Sequence, residues 1–174
     1  MQGKSISVLA ISGSLRTSSS NNLIVKAIEK LIPEGVDYLV YDDLDKIPPF
    51  NDPEEIPGIV NEWINKIAAA DAVLICSPEY AFGVPGALKN ALDWAVGSVA
   101  FSSKPVALIT ASSGGEKAHA SMLLILTALG TNIIDELLIS YVRTKLNKDG
   151  EITDGDTLQR VRSLMDKLIL TVSA

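Results

Sequence analysis

A run of small polar residues follows the first apolar segment of the chain. Gly13 is followed by Ser14 and Arg16, and residues 17–21 are Thr-Ser-Ser-Ser-Asn. The apolar segment 6–11 is typical of a buried strand, and the apolar residues after the run have the spacing of an amphipathic helix. Hydroxyls, an amide and a guanidinium therefore crowd a helix N-terminus, where free N–H groups and the helix dipole already favour an anion.

The chemistry that this run favours is phosphate binding. A single side chain such as Ser19 could cap the helix, but a cap requires neither the other hydroxyls nor Arg16. The common phosphate loops are absent from the sequence: there is no G-x-x-x-x-G-K-[ST] and no G-x-G-x-x-G after the strand. We therefore predict a phosphate site built from hydroxyls, backbone amides and one guanidinium.

Two later loops have the composition of a binding surface. Residues 77–86 are Ser-Pro-Glu-Tyr-Ala-Phe-Gly-Val-Pro-Gly, so aromatic side chains stand on a rigid backbone, which suits a flat ring. A plain rigid turn with both aromatics partly buried explains this loop equally well. The third loop, residues 111–115, adds a backbone edge through Ser112, Ser113, Gly114 and Gly115. A phosphate at the first loop and a planar ring across the other two would describe a mononucleotide.

The elements that must position these loops alternate along the chain. Apolar patterning predicts strands at residues 6–11, 37–41, 72–76, 106–110 and 133–140. It predicts helices at residues 22–31, 59–67, 88–95, 117–129 and 158–169. The proline-bearing connection 42–57 is predicted to lack regular structure.

Such alternation predicts an α/β fold with a parallel sheet covered on both faces. Five strands of this kind most often take the order 2-1-3-4-5, which is a flavodoxin-like three-layer sandwich, and residues 1–174 are predicted to form one such domain. In this order, ligands bind beyond the carboxyl ends of strands 1, 3 and 4. These are the strands that precede the three loops, and the mononucleotide expected there is FMN.

Composition excludes several other classes of protein. The net charge is −6 and the pI is near 4.7, which argues against a nucleic-acid partner. No apolar run has the length of a membrane span, and residues 1–4 lead straight into a strand without a signal peptide, so we predict a cytoplasmic protein. Cys76 is the only cysteine and His119 the only histidine, so neither an intrachain disulfide nor a metal site is expected.

Two longer motifs resemble a known family. Residues 13–21 match the pattern G-S-L-R-x-x-S-x-N of the NAD(P)H-dependent FMN reductases. Residues 77–94 match the second signature of that family, S-P-E-Y-x(4)-P-G-x-L-K-N-A-x-D-W. The family is a flavodoxin-like group that includes bacterial quinone and chromate reductases and azoreductase-like enzymes. Two long motifs in the right order are far more specific than a lone glycine loop, and the resemblance covers nearly the whole chain.

The resemblance implies a set of FMN-binding residues. The phosphate would be held by Ser14, Arg16, Ser19, Ser20 and Asn21. The flavin ring and ribityl chain would be lined by Pro78, Glu79, Tyr80 and Ala81, with Ser112, Ser113, Gly114 and Gly115 at the other edge. Many family members have Asn at the position of Ala81, and an Arg is common near the position of Lys117. The loop after strand 4 is longer in some members.

The resemblance also implies a function. The chain is expected to be an oxidoreductase that passes hydride from NADPH or NADH, through bound FMN, to a quinone, a free flavin, an azo compound or a metal oxyanion. No catalytic protein side chain is expected, because the cofactor carries the chemistry. The alternatives are a flavodoxin-type electron carrier with no NAD(P)H oxidation of its own and a flavin-free binding protein.

Several residues whose side chains could take part in chemistry are predicted to have structural roles instead. His119 is expected at the surface or in an interface. Lys89, Asn90, Asp93 and Trp94 are expected to serve helix packing and a subunit contact, and Cys76 is expected to be an inert buried thiol. The run 122–126 is apolar on all sides of its helix, which predicts a homodimer or homotetramer.

Overall fold

The computed structural model describes residues 5–173, which are built around one parallel sheet. Its strands are β1 Ile6–Ser12, β2 Val36–Tyr41, β3 Ala72–Ser77, β4 Pro105–Ala111 and β5 Asn132–Ile139. Their spatial order is β2-β1-β3-β4-β5, so the predicted order is confirmed. The prediction that residues 1–4 lead into the first strand without a signal peptide concerns residues outside the described range.

Helices cover both faces of the sheet. They are α1 Ser20–Glu29, α2 Gly58–Ala69, α3 Gly86–Ala95, α4 Glu116–Ala128 and α5 Gly155–Ser173. Helices α1 and α5 pack on one face, and α2, α3 and α4 pack on the other. The predicted three-layer α/β sandwich is therefore confirmed. Within residues 5–173, no helix combines the length and the apolar character that a membrane crossing requires.

The burial of each strand follows its place in the sheet. Every residue of the central strand β3 is buried, and its residues 72–76 are accordingly all apolar. Edge strand β2 instead alternates between partly buried and exposed residues along most of its length. Ile11 and Ile75 point into the core under α2, α3 and α4, whereas Ala10 and Leu74 point into the core under α1 and α5. Two apolar cores thus hold the sheet between its helices.

The connection between β2 and α2 is more ordered than predicted. A short 3₁₀ turn forms at Leu44–Lys46, so the expectation of no regular structure is wrong at this point. The Asn90 side chain donates to the Pro48 carbonyl at 2.9 Å and accepts the Phe50 amide at 2.8 Å, and Trp94 Nε1 donates to the same Pro48 carbonyl at 2.7 Å. Asn90 and Trp94 therefore pack α3 against this connection, in agreement with the predicted packing role.

Helix α4 is apolar on both of its sides, as its sequence indicates. Met122 and Leu126 are fully buried against the sheet, whereas the Leu124 side chain is 74% exposed. The exposed leucine leaves an apolar outer surface on this helix, and the predicted subunit contact there stays a prediction.

The register of the strands aligns their carboxyl ends at one edge. Ser12 of β1 lies beside Cys76 of β3, Ser77 lies beside Thr110 of β4, and Ala111 lies beside Ile139 of β5. The loops that follow β1, β3, β4 and β5 consequently emerge next to one another. This edge is where ligands bind in open α/β sheets.

Candidate functional site

The first loop joins β1 to α1 and ends in a helix cap. The Ser19 hydroxyl accepts the amide N–H of Asn22 at 3.1 Å, which makes Ser19 the N-cap residue. The amides of Ser20 and Asn21 also lie in the first turn, where a helix supplies no acceptor of its own. Capping and ligand binding therefore use different groups. Ser19 caps the helix, and the Ser20 hydroxyl and the amides of Ser20 and Asn21 remain available to a ligand.

Gly13 lets this loop approach β3 and α3 closely. Its N–H donates to the Cys76 carbonyl at 2.8 Å. A Cβ atom at this position would lie 2.7 Å from Ser77 Oγ and 2.9 Å from Leu88 Cδ2, so a larger residue would require its neighbours to shift. The loop position thus depends on glycine.

Asn21 connects helix α1 to two strands beneath the site. Its side-chain amide donates to the Ala111 carbonyl at 3.0 Å, and its carbonyl oxygen accepts the Cys76 thiol at 3.3 Å. Cys76 is fully buried, as predicted, and burial raises its thiol pKa well above the ordinary value. The Asn21 side chain therefore anchors α1 to the ends of β3 and β4.

A tight turn presents the aromatic residues of the second loop. Tyr80 and Gly83 exchange two backbone hydrogen bonds of 3.0 and 2.9 Å, and Ala81 and Phe82 between them have φ angles of 49° and 59°. Such left-handed backbone favours Asn or Gly, so this turn is strained. Tyr80 is 43% exposed and Phe82 is 80% exposed, and the alternative with both aromatics partly buried is wrong for Phe82.

Glu79 holds the second loop against α4. Its Oε2 atom accepts the amide N–H groups of Lys117 and Ala118 at 3.0 and 2.9 Å, so a carboxylate caps the N-terminus of that helix. The Tyr80 hydroxyl lies 3.1 Å from Ser14 Oγ and links the same loop to the first. Glu79 and Tyr80, which are neighbours in the sequence, thus connect the second loop to the start of α4 and to the first loop.

A segment after β5 joins the site through its backbone. The amides of Tyr141 and Val142 donate to the carbonyls of Ser113 and Ser112 at 3.2 and 3.1 Å. A 3₁₀ turn then forms at Val142–Thr144 and carries Arg143. The site residues predicted from the sequence do not include this segment. The signal that could have found it is the carboxyl end of strand 5, which lies at the same sheet edge.

These loops line a cavity of about 420 Å³, which is in the size range of small-molecule sites and is named the main cavity because most of the predicted site residues line it. Of the predicted residues, it is lined by Arg16, Ser20, Asn21, Pro78, Glu79, Tyr80, Ser112 and Ser113. It is also lined by Ala111, Tyr141, Val142, Arg143 and Thr144. A side cavity of about 550 Å³ lies on the other side of Tyr80, and Arg16, Tyr80 and Arg143 line both cavities.

Comparisons with known proteins agree with this geometry. The profile of the family described as NADPH-dependent FMN reductase matches residues 6–143. The chain belongs to this family. An NAD(P)H-dependent FMN reductase from Pseudomonas aeruginosa is 31% identical, with 96% of this chain and 95% of that protein covered. A quinone reductase from Escherichia coli K12 is 29% identical, with 90% and 89% covered.

A solved structure has the same fold. The flavoenzyme NAD(P)H:(acceptor) oxidoreductase FerB from Paracoccus denitrificans superposes with a TM-score of 0.80 at 27% identity, and the match covers 97% of both chains. This FMN reductase family member is therefore an oxidoreductase that uses FMN as its cofactor and NAD(P)H as its co-substrate. The electron-carrier alternative is not favoured.

The charges of the cavity fit a phosphorylated flavin. Within residues 5–173, no carboxylate lies within 4.0 Å of the guanidinium of Arg16 or of Arg143. Both arginines line a cavity that also contains the first turn of α1, in a chain of net charge −6. An unpaired cation beside free helix amides is suited to a phosphate.

The remaining predicted residues lie around the main cavity and not on its wall. Ser14 is buried and contacts Tyr80, and Ser19 is the cap of α1. Ala81 lies in the turn between Tyr80 and Gly83, Gly114 accepts the Ser140 hydroxyl through its carbonyl, and Gly115 precedes α4 with a φ of 114°. Their direct contact with FMN stays a prediction.

Two departures from the family now have a structural context. Ala81 occupies left-handed backbone with a φ of 49°, a conformation in which Asn is several-fold enriched among non-glycine residues. The Asn that many members have here would thus suit the turn as well as offer a polar group. The second departure is Lys117, near whose position an Arg is common in the family. Its backbone N–H donates a hydrogen bond to the Glu79 carboxylate.

His119 differs from its predicted surface position. Its side chain is only 12% exposed, and its Nδ1 atom lies 2.8 Å from the Thr110 hydroxyl at the end of β4. Nε2 lies 3.7 Å from a carboxylate oxygen of Glu136 on β5. The histidine packs between α4 and the sheet because helical spacing places it on the inner side of α4, one turn before the buried Met122.

Proposed function

We propose that the main cavity holds FMN with its phosphate at the start of α1. The observation that carries this proposal is the guanidinium of Arg16, which has no carboxylate partner among residues 5–173 and lies beside the Ser20 hydroxyl and the first-turn amides of α1. Pro78, Glu79 and Tyr80 would line one edge of the flavin, and Ser112 and Ser113 would line the other. The glycines at positions 114 and 115 would keep that edge close to the backbone.

Bound FMN would supply the redox chemistry, accepting hydride from a nicotinamide and passing the electrons on. The protein would hold the cofactor in a fixed position, surround it with polar and charged groups, and provide a stacking surface for the substrate. Tyr80 and Phe82 are exposed beside the cavity, and an exposed aromatic surface suits a planar substrate. We therefore propose that the acceptor is a small molecule: a quinone, a free flavin, an azo compound or a metal oxyanion. The quinone reductase among the relatives favours the first of these.

No protein side chain is assigned an acid or base role in this proposal. His119 lies behind the loop after β4, where its side chain contacts Thr110 and Glu136, and neither of these residues lines the main cavity. The residues of the cavity bind and orient. Donor and acceptor would use the same open side next to Tyr80, so they would bind in turn.

The proposal extends to the organisation of the protein. We infer that residues 1–174 act as a single FMN-binding domain and that the active form is a homodimer or a homotetramer. The exposed apolar side chains of Val96 and Val99, on the segment after α3, and of Leu124, on α4, support an interface there. Cytoplasmic location stays a prediction.

Anaerobic reduction tests the proposed function. FMN-loaded protein is mixed with NADPH, and separately with NADH, while the flavin absorbance is followed. Rapid bleaching with at least one donor is expected, and double-reciprocal plots at several acceptor concentrations should give parallel lines, because donor and acceptor alternate. Yellow colour that persists with both donors for many minutes contradicts the reductase assignment.

A further inference from the structure

The side cavity is apolar apart from its cations. It is lined by Leu15, Pro85 and Ala87, by the glycines 13 and 86, and by the shared residues Arg16, Tyr80 and Arg143. Among residues 5–173, no acidic side chain lines it. An apolar floor with positive charge at its rim is suited to a ligand that combines a flat ring with phosphate groups.

Arg143 lies where the side cavity meets the main cavity. The chain has four arginines, and Arg16 and Arg143 line both cavities, whereas Arg160 and Arg162 lie on α5. Within the described part of the chain, the Arg143 guanidinium has no carboxylate partner. The side chain is exposed, so its charge is available to a ligand.

The backbone that carries Arg143 is held in place. The amides of Tyr141 and Val142 bond to the loop after β4, and the Thr144 amide and hydroxyl both donate to the Tyr141 carbonyl at 3.0 and 2.9 Å. Tyr141 has left-handed backbone with a φ of 53°, which turns the chain toward the cavities. The guanidinium is thus offered from a fixed turn, and a fixed turn reduces the entropy that binding must overcome.

We propose that Arg143 binds a phosphate group of the nicotinamide dinucleotide and that the side cavity receives this substrate. The inference rests on the proposed function, in which Arg16 and α1 hold the flavin phosphate. Arg143 then provides a second, separate cation for the second phosphorylated ligand. The phosphate concerned is either the 2′-phosphate of NADPH or the pyrophosphate that NADPH and NADH share.

Binding to FMN-loaded protein tests this assignment without relying on turnover. Dissociation constants for NADP⁺, NAD⁺ and 2′,5′-ADP are measured by calorimetry for the wild type, Arg143→Gln and Arg143→Lys. Arg162→Gln, an exposed arginine substitution on α5, is the matched control. We expect Arg143→Gln to weaken NADP⁺ binding by about tenfold or more, Arg143→Lys to weaken it less, and the control to leave it unchanged.

The dinucleotides distinguish the two sources of phosphate. Weaker NADP⁺ and 2′,5′-ADP binding with unchanged NAD⁺ binding assigns the 2′-phosphate, and equal weakening of NADP⁺ and NAD⁺ assigns the pyrophosphate. Unchanged binding of all three ligands to Arg143→Gln overturns the inference. The inference is also overturned if Arg143→Gln no longer binds FMN more tightly than riboflavin, because Arg143 would then bind the flavin phosphate. Wild-type protein that is reduced by neither NADPH nor NADH contradicts the proposed function instead.

Discussion

At the scale of single residues, Arg16 carries the assignment of the phosphate site. It lines the main cavity beside the start of α1 and has no carboxylate partner within residues 5–173. Arg16→Ala should weaken FMN binding by about 1.5–3 kcal/mol, because a charge-assisted hydrogen bond is lost. Riboflavin lacks the phosphate, so it should bind the parent protein more weakly than FMN does. The substitution should leave the affinity for riboflavin unchanged. Flavin fluorescence titration measures both, with Arg162→Ala as control. Equal affinity of the parent protein for the two flavins contradicts the assignment.

The buried Cys76 thiol and the partly buried Tyr38 phenol make the protein sensitive to alkali. Burial raises the pKa of the Cys76 thiol and of the Tyr38 phenol above their ordinary values of 9.0 and 10.0, and the Tyr38 hydroxyl donates to the Val25 carbonyl at 3.1 Å. Above those values the unfolded chain loses protons that the folded chain keeps. The folded state therefore binds more protons, and the free energy of unfolding must fall as pH rises above about 9.

Tyr38→Phe isolates one of these groups. It should reduce the alkaline slope of the unfolding free energy by up to about 1.4 kcal/mol per pH unit, since one ionisation is removed. Urea unfolding between neutral pH and pH values above the ordinary tyrosine pKa measures the slope. Tyr141→Phe changes an exposed phenol, 71% accessible, and should leave the slope as it is. A Tyr38→Phe curve parallel to that of the parent protein would refute the explanation.

At the scale of elements, a carboxylate from one loop orders the start of a helix. Glu79 accepts two amide N–H groups of α4. Glu79→Ala should lower the free energy of unfolding by about 0.5–2 kcal/mol, the usual effect of removing a helix cap, and should also weaken FMN binding because the second loop is released. Chemical denaturation and flavin titration measure the two effects.

Glu116→Ala is the control for this cap. Glu116 also lies in the first turn of α4, so its substitution removes the same charge near the helix N-terminus without removing the two amide bonds of Glu79. We expect a smaller loss of stability and no change in FMN affinity. If the two variants behave alike, the dipole effect alone explains the cap, and the loop connection has no separate role.

At the scale of the whole molecule, the exposed leucine of α4 predicts self-association. Leu124 is 74% exposed on a helix whose larger apolar neighbours Met122, Leu123, Ile125 and Leu126 are buried or partly buried in the core, and Leu170 on α5 is exposed to a similar extent, 68%. Leu124→Lys should dissociate the oligomer, whereas Leu170→Lys should not, because a charge is costly only where the surface is buried by a partner. Sedimentation velocity at micromolar concentration measures both. A monomeric parent protein would rule out the interface.

The sequence alone determined the architecture because that information is local and periodic. Segments such as 72–76 and 106–110 are apolar over the length of a buried strand, the helical stripes repeat at the helical period, and the resulting alternation leaves few topologies. The small polar residues after strand 1, with Arg16 among them, likewise indicated a phosphate site before any contact was known. Helix ends differed by a few residues because fraying and caps depend on neighbours.

Only the tertiary structure decided which groups of the site are free. Asn21 and Ser20 are both small polar residues of the same run in the sequence. The Asn21 side chain nevertheless bonds to Ala111, a residue far along the chain, and therefore anchors the helix. Glu79 caps α4 and Arg143 enters from a turn after β5, and no local pattern encodes either contact. The physical reason is that these contacts depend on the register of the strands, which brings the ends of β1, β3, β4 and β5 together. A linear motif specifies residue types, whereas the sheet edge determines which of their atoms face the ligand.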